Sequence, residues 1–465
     1  VLAVSEASIK STVTNETESK AQALMNASGV AAGVILASNM VSSSAYASID
    51  SDSATYQIIA QSAAVTVSAE DQAKITANVK LAAISSTVND GGLSLVYQAV
   101  EDTMTINYTD RSGVRAIKAG DLVRVDSTDY KSYEEPDTVN QGDRVQLEFD
   151  TGGGSAGEIY EYIGSTPLDN SVSLDEQDYS DTSKWKLLTS KPEGLYIYNG
   201  PDLASVDLGQ EDFSDTSRWQ EMVSIDPTQH IPGLSLNVSD SDSSAFGGLI
   251  VRNDVRSKVD AHINKAHVSA AGDISVKAVE SAVILSQNDS VVTSSGGSMF
   301  GEGSSTAVNA MIVSNLVLSG AQAYVTNSDL TAGSSGDVII EAENTSKIAA
   351  KTASTVESNG NSIGVTLAFN TIGWESQNIL FNAVDAICGT DIGNKSPATV
   401  KAWTDNTSIS AAGGVRVEAI SDATIDARIE SATKSLSTAP AGGSDTLAIG
   451  GVIALNKVST DVKAS

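Results

Sequence analysis

Cysteine, basic residues, proline and aromatic residues are all scarce in this sequence of 465 residues. The one cysteine, Cys388, excludes an intramolecular disulfide, and the apolar run around it predicts a small buried residue. The 28 basic residues are outnumbered by 58 acidic residues, and the resulting net charge of −30 argues against nucleic acid as a partner, because phosphate binding needs a basic face. No apolar run approaches the roughly 18 residues of a membrane-spanning helix.

Sequence signals for catalysis are also missing. The three histidines, His230, His262 and His267, show no paired Cys/His spacing of the kind that holds a metal. A strand would point His262 and His267 to opposite faces, since they are five residues apart. Neither a Gly-x-Ser-x-Gly nucleophile elbow nor a phosphate-binding P-loop occurs. The sequence therefore predicts a protein that is not an enzyme.

A short phrase, an apolar strand ending in alanine with an isoleucine six residues later, recurs along the chain. Its alanines are 66, 209, 64 and 77 residues apart, and 209 equals one repeat of 66 plus 143 extra residues. A fixed period of this size indicates a stacked repeat architecture. The five copies begin at Val1, Val67, Val276, Ile340 and Val417, and their isoleucines are Ile9, Ile75, Ile284, Ile348 and Ile425.

A second phrase, an apolar strand that ends in asparagine, runs in step with the first. Its copies centre on Asn39, Asn253, Asn315, Asn370 and Asn456. An asparagine at this point is typical of a turn. Because the copies are 55 or more residues apart, we expect their side chains not to form a continuous ladder.

Alternating apolar and polar residues within the phrases predict half-buried β-strands, and helix signals are weak. We therefore predict an all-β fold, a right-handed parallel β-helix (β-solenoid) with an inserted small β-rich module. Solenoid repeats would occupy residues 1–93 and 237–465. About 64 residues suits roughly three coils of about 20 residues each, so that roughly 15 coils would span about 7 nm.

Residues 94–236 have a composition of their own, with 13 of the 22 aromatic residues, 6 of the 8 prolines and 27 acidic against 10 basic residues. This shift predicts a separate module inserted into the array. The module contains a duplication at an offset of 34 residues, which aligns Tyr162 with Tyr196 and Trp185 with Trp219 without gaps. Two Gly-Asp-x-Val strands precede it, at Gly120 and Gly142.

Three interpretations of the duplicated unit stay open. Its aromatic residues could pack as the core of a small module, or they could stack on sugar rings as a glycan-binding site. The acidic residues around each turn could instead bind Ca²⁺ through oxygen ligands, although their spacing matches no known calcium loop. The candidate glycan or core residues are Tyr162, Trp185, Tyr196 and Trp219, and the candidate calcium ligands are Asp178, Asp181, Asp212 and Asp215.

The repeated patterns Gly-Val-x-x-Ala-x-Asn, as in Gly33 to Asn39, and Ala-Gly-Gly-Val-x-Val-x-Ala, as in Ala412 to Ala419, resemble the β-helical repeats of large bacterial exoproteins. These are the filamentous-haemagglutinin-like proteins and giant surface adhesins. The resemblance implies a secreted or cell-surface fibrous protein of bacteria, which forms a stiff stalk or extracellular filament for cell–cell or cell-surface contact. It supplies no catalytic residue. We expect no cofactor other than the Ca²⁺ considered for the duplicated unit.

Both ends of the sequence fall within a repeat, so we expect uncapped strands that are covered by more of the same giant chain or by self-association into a fibre. Surface glycans or another cell are further candidate partners. The alternative function is a carbohydrate-binding or glycan-processing β-helix protein, with the insert as the sugar-binding module.

Overall fold

A computed structural model describes the chain except for residues 24–25, 53–55, 90–105, 133, 135, 148–150, 156, 170–171, 189–193, 222–236, 238, 299–302, 376–393 and 437–445. The expectation of a buried Cys388, the position of His230 and the predicted boundaries of the insert at residues 94 and 236 all lie outside the described residues. The fold is all-β with parallel sheets, and the described residues contain no α-helix.

The strands alternate with short turns along the whole described chain. The first six are β1 (Leu2–Ser5), β2 (Ser8–Gln22), β3 (Ala27–Asp50), β4 (Gln57–Ala60), β5 (Val65–Asp71) and β6 (Lys74–Val88). The next twelve are β7 (Tyr108–Thr109), β8 (Val114–Ile117), β9 (Leu122–Arg124), β10 (Tyr130–Lys131), β11 (Thr138–Val139), β12 (Arg144–Gln146), β13 (Ile159–Tyr162), β14 (Leu168–Asp169), β15 (Trp185–Leu188), β16 (Leu195–Tyr198), β17 (Leu203–Asp207) and β18 (Trp219–Glu221). Single 3-10 turns occur at Asp110–Ser112, Leu174–Glu176 and Leu208–Gln210.

The remaining strands follow the inserted region. They are β19 (Ser241–Asn264), β20 (His267–Ala270), β21 (Ile274–Glu280), β22 (Val283–Ser295), β23 (Ser305–Leu318), β24 (Gly320–Thr326), β25 (Asp329–Ala332), β26 (Val338–Asn344), β27 (Lys347–Ser358), β28 (Asn361–Ile372), β29 (Trp374–Glu375), β30 (Asn394–Lys395), β31 (Ala398–Asp405), β32 (Ser408–Ala411), β33 (Val415–Ser421), β34 (Thr424–Ser435), β35 (Leu447–Val458) and β36 (Thr460–Ala464).

The chain divides into two compact units, Val1–Gly91 with Ser235–Ser465, and Gly92–Leu234. In the first unit, strands from successive repeats pair in parallel to form four sheets. Sheet A contains β1, β5, β21, β26 and β33, and sheet B contains β2, β6, β22, β27 and β34. Sheet C contains β3, β19, β23, β24, β28, β31, β35 and β36, and sheet D contains β4, β20, β25 and β32.

One repeat passes once through the four sheets in the order A, B, C, D, and we call each such passage a rung. The strands of rung 1 are β1 to β4, and rungs 2 to 5 begin at β5, β21, β26 and β33. The expectation of three coils per repeat is wrong, because Val67 pairs with Val276 in the next rung and Val276 pairs with Ile340. Five rungs spaced about 4.8 Å apart span only about 19 Å.

The core lies between the sheets, because alternate side chains of each strand point inward. Val67, Val276 and Ile340 of sheet A belong to one buried cluster with residues of sheets C and D, and Val417 packs against it, as the alternation predicts. Sheets B and C face each other over their long strands. Leu81 of β6 belongs there to another buried cluster, together with residues of β3, β19 and β23. Small alanines suit the narrow space between these sheets.

The asparagine phrases form a continuous ladder, contrary to expectation. Each side-chain amide nitrogen of Asn39, Asn253, Asn315 and Asn370 donates to the amide oxygen of the next rung at 2.8 Å, and Asn456 accepts the last of these bonds. These residues lie within the strands of sheet C and point inward, rather than in turns. The number of residues between successive asparagines varies because the connections between strands differ in length. The strands themselves stay in register, so the ladder is continuous.

Two asparagines join the segment at which the chain leaves the first unit to the segment at which it returns. The backbone N–H of Asn89 donates to the side-chain oxygen of Asn237 at 2.7 Å, and the Asn237 amide donates to the carbonyl of Thr87 at 3.2 Å. The Asn89 amide donates in turn to the carbonyls of Ser239 and Asp240. The two ends of the long excursion are therefore held side by side.

The second unit consists of two similar lobes, one nested within the other along the chain. Lobe 1 has a sheet of β7, β9, β16 and β18, and lobe 2 has a sheet of β10, β12, β13 and β15. The gapless alignment of the duplication is wrong at the tyrosines. Tyr162 pairs with Trp185 in lobe 2 as Tyr198 pairs with Trp219 in lobe 1, so Tyr162 corresponds to Tyr198 and not to Tyr196. The carbonyl of Tyr162 accepts from Gly142 and that of Tyr198 from Gly120 in the same way. A two-residue difference in the following loop restores the offset of 34 at the tryptophans.

Candidate functional site

The outward side of sheet C is apolar over the first half of its long strands. Twenty residues face outward there in four rows that cross all five rungs: fifteen apolar side chains, two glycines and the uncharged Ser244, Thr306 and Asn361. The charged Asp242 and Arg252 of β19 lie just outside these rows. Written from rung 1 to rung 5, the rows are Val30, Ser244, Thr306, Asn361 and Leu447; Ala32, Phe246, Val308, Ile363 and Ile449; Val34, Gly248, Ala310, Val365 and Gly451; and Leu36, Ile250, Ile312, Leu367 and Ile453. We call this surface the apolar face.

The side chains of the apolar face are open to solvent. Val34 and Leu36 are 72% and 77% exposed, and Phe246 and Val365 are 44% and 42% exposed. The outward side of sheet B, on the other side of the same core, is instead polar and charged, with Lys10, Glu16, Glu18, Lys80, Lys351, Asp426, Arg428 and Glu430 among its side chains. A contiguous exposed apolar surface of this kind marks an interaction site.

The third row of the apolar face dips to a shallow groove at Gly248 and Ala310, between Val34 and Val365 of the same row and between two taller rows. Gly248, Ala310 and Gly451 supply its small residues, while the flanking rows carry Phe, Val, Ile and Leu. A methyl group added at Gly451 would meet no atom within 4 Å, and one added at Gly248 would only touch the Val34 methyl groups, the nearer at 3.6 Å. Packing within the unit therefore does not require glycine at these two positions.

Beyond the apolar face, the same side of sheet C carries a ladder of stacked rings. The imidazole of His262 stacks on Tyr324 at 4.6 Å between centroids, and Tyr324 stacks on Trp403 at 4.3 Å, both nearly parallel. Tyr46 meets His262 edge-on at 5.2 Å. Both faces of the Tyr324 ring are covered by neighbouring rings, so this ring offers only its edge to a ligand.

Two carboxylates bracket the imidazole of this ladder. Nδ1 of His262 lies 2.6 Å from Asp260 and Nε2 lies 2.9 Å from Asp50. Burial raises the pKa of the Asp50 carboxyl, but hydrogen bonds from His262 and Asn264 outweigh it and leave the pKa below its usual range. Burial and the nearby Asp260 charge raise the pKa of Tyr324 to about 12. The Tyr46 hydroxyl lies 3.3 Å from the same Nε2, and Ser48 is the residue paired with His262 in register, so the group is a hydrogen-bonded network on the outward side of sheet C.

The four aromatic residues predicted as glycan or core residues are buried within the second unit. Tyr162 and Trp185 are 3% and 2% exposed and stack edge-to-face at 5.1 Å in the core of lobe 2. Tyr196 and Trp219 are 6% and 1% exposed in the core of lobe 1. No ring of the four therefore presents a face to a sugar.

The four predicted calcium ligands each serve a tight turn. Asp178 Oδ1 accepts from the backbone N–H and the hydroxyl of Ser180, at 3.0 and 2.5 Å. Asp181, Asp212 and Asp215 make the same pair of bonds to the serine two residues on. Within the described part of the chain, no group of three or more His, Cys, Asp or Glu side chains is placed to hold a metal ion.

Sequence reasoning missed both the apolar face and the ring ladder. The run from Gly33 to Ala37 is apolar at every position, which is typical of a strand with two apolar sides. His262 and Tyr324 each follow a ladder asparagine by nine residues, so alignment of the asparagine phrases would have brought them together. His267 lies apart from His262 and pairs with Asp329 at 2.7 Å.

The described residues include no helix with the length and hydropathy of a membrane span. The chain matches no family model, no curated protein and no solved structure.

Proposed function

We propose that this chain is a structural and adhesive segment of a giant secreted or cell-surface bacterial protein. Its first unit would be part of a right-handed parallel β-helix that forms a stiff stalk or extracellular filament and mediates cell–cell or cell-surface contact. The observation that carries the proposal is the in-register stacking of five rungs through sheets A, B and C, four of which continue through sheet D. A stack of this kind is extended by adding rungs, because each rung repeats the pairing of the one before it.

Stiffness supports a mechanical role. Backbone hydrogen bonds join every rung to the next in sheets A, B and C, and the buried asparagine ladder adds one side-chain bond per step. Such ladders resist both bending and sliding, since a shift of one residue would turn inward side chains outward. A non-catalytic role agrees with the placement of the His262 network on a sheet surface rather than in a cleft.

The charge favours an extracellular location. A net charge of −30 keeps single chains soluble and apart, and salt or divalent cations outside the cell would screen this repulsion. We infer that the partners are further copies or further rungs of the same protein, with surface glycans or another cell as the adhesive target.

Labelling of intact cells tests this function. A fluorescent antibody against the chain should stain producing cells without permeabilisation, and deletion of the gene segment should reduce cell–cell aggregation. Staining only after lysis, with unchanged aggregation in the deletion strain, would contradict the proposal. Removal of residues 94–236 alone provides the control that separates the stalk from the insert.

A carbohydrate-binding role for the insert is the second candidate, and one observation favours it. A cavity of about 210 Å³ opens between the two lobes and is lined largely by polar groups, among them Arg144, Lys186, Gln210 and Glu211. Isothermal titration of the whole chain with chitin and cellulose oligosaccharides tests it. Binding that Lys186→Ala removes would support this role, and the absence of any binding heat would refute it.

A further inference from the structure

We propose that the apolar face binds the same face of a second copy of this chain, so that two arrays pack sheet against sheet. The inference deepens the self-association named above and rests on that proposed function for its setting. It adds the surface through which copies meet, which neither the repeats nor the open sheet edges specify.

Charge points to a second copy as the occupant. Two chains that each carry a net charge of −30 repel one another, and they can approach closely only where no charge would be buried. The apolar face meets this condition, because its twenty outward residues include no charged residue, and the charged Asp242 and Arg252 lie at its margin. The outward side of sheet A does not, since Arg416 pairs there with Glu341 and Glu418.

The area of the apolar face is large enough for a specific dimer. Five strands about 4.8 Å apart and four rows about 6.6 Å apart cover about 600 Å² on each copy. Two such faces would bury about 1,200 Å² together, which is the lower limit of standard protein–protein interfaces. Each rung added to the array would enlarge the same interface.

The relief of the apolar face is self-complementary. A two-fold axis that lies between the two sheets, parallel to the rows and midway between the second and third row, would place the tall row of Phe246 and Val308 in one copy over the groove of Gly248 and Ala310 in the other. Each contact would then occur twice, as a two-fold interface requires. Packing within the unit does not require glycine at positions 248 and 451, but glycine there leaves room for side chains of a second copy.

Paired lysine substitutions test the interface. Val34→Lys with Val365→Lys introduces two charges into the groove row at positions that are already exposed. The matched control, Val291→Lys with Ile420→Lys, places two lysines at outward apolar positions of sheets B and A. Both variants lower the net negative charge equally, so added repulsion between copies cannot explain a difference between them.

Sedimentation velocity over a range of concentrations measures the association. We expect wild type and the control to form dimers with equal affinity, and the groove variant to dimerise at least about 100-fold more weakly, because each interface would bury unpaired charges. Circular dichroism must show the same β content in all three proteins. Leu36→Lys, at the most exposed position of the face, replaces the groove variant should the latter not fold.

Three outcomes would overturn the inference. Wild type could remain monomeric at every concentration, or it could bind vesicles of zwitterionic phosphatidylcholine instead of itself. Wild type, control and groove variant could also associate equally. Equal association would assign self-association to the sheet edges and would leave the proposed function standing. Staining of cells only after lysis would instead contradict the proposed function, and sedimentation alone would then decide whether the dimer exists.

Discussion

Replacing Glu280 by glutamine is expected to stabilise the protein at pH 8 and to leave its stability near pH 4.5 almost unchanged. Glu280 lies at the inner corner between sheets A and B, in register with Asp71 of the neighbouring rung, and both carboxyl groups are fully buried. One oxygen of each accepts a backbone N–H, from Ala282 at 3.1 Å and from Ala73 at 2.9 Å. The second oxygens, Glu280 Oε2 and Asp71 Oδ2, have no hydrogen-bond partner in the described structure.

The magnitude follows from the pKa of Glu280. Burial, opposed by the nearby Ser257 hydroxyl and reinforced by the charge of Asp71, raises the pKa of Glu280 from 4.5 to about 8. The folded protein therefore holds a proton between pH 4.5 and pH 8 that the unfolded chain releases, and stability falls as pH rises through this range. At 1.36 kcal/mol per pH unit, the loss is on the order of 5 kcal/mol.

Urea unfolding followed by circular dichroism at several pH values measures this loss. Below pH 4.5 the two proteins should unfold at similar urea concentrations, because both carry a neutral side chain. Near pH 8 Glu280→Gln should be more stable by several kcal/mol. Glu343→Gln, on the outward side of sheet A, is the control and should retain the wild-type slope. Parallel stability curves for wild type and Glu280→Gln would refute the reasoning.

Four further predictions concern the ladder, the second unit and the removal of the insert. Asn253→Ala breaks two ladder bonds and leaves buried amides unpaired, so it should lower the free energy of unfolding in urea by about 2 to 4 kcal/mol. Asn456→Ala breaks one ladder bond and should lower it by about 1 kcal/mol. Trp185→Ala should cost about 3 to 5 kcal/mol and be seen as loss of protease resistance in the second unit. Arg144→Met strands two carboxylates that the buried guanidinium binds, and should lower stability by about 3 kcal/mol. Deleting residues 94–236 should preserve the β circular dichroism of the first unit; loss of ordered β-structure would contradict this.

The alanine phrases predicted strand register well, because inward alternation is a local property of sequence. Val67, Val276, Ile340 and Val417 occupy one file of sheet A, as their shared phrase implied. The number of coils could not be obtained in this way. Strands usually span about five or six residues, so a repeat of 64 residues suggested several short coils rather than one passage through strands such as β3 with 24 residues.

The ladder and the apolar face depend on contacts between distant repeats. Asn39 and Asn253 are 214 residues apart, and their hydrogen bond exists because the chain returns after the insert as β19, which pairs with β3. The aromatic side chains of the insert were ambiguous for a different reason. Composition cannot distinguish a ring that covers a core from a ring that binds a sugar, whereas the structure shows Trp185 and Trp219 buried in the cores of the two lobes.

A disulfide between neighbouring rungs tests the central claim that each repeat adds one in-register rung. Ser86 and Ser295 are 209 residues apart, face outward in paired strands of sheet B, and their hydroxyl oxygens are 3.1 Å apart.

The chain with Ser86→Cys, Ser295→Cys and Cys388→Ser should form this disulfide under mild oxidation without a change in circular dichroism, since paired residues of adjacent strands meet the distance that a disulfide needs. The control pair Ser86→Cys with Thr293→Cys, displaced by two residues on the same side, should not. Efficient cross-linking of the displaced pair, or none of the in-register pair, would contradict the stacking of one rung per repeat.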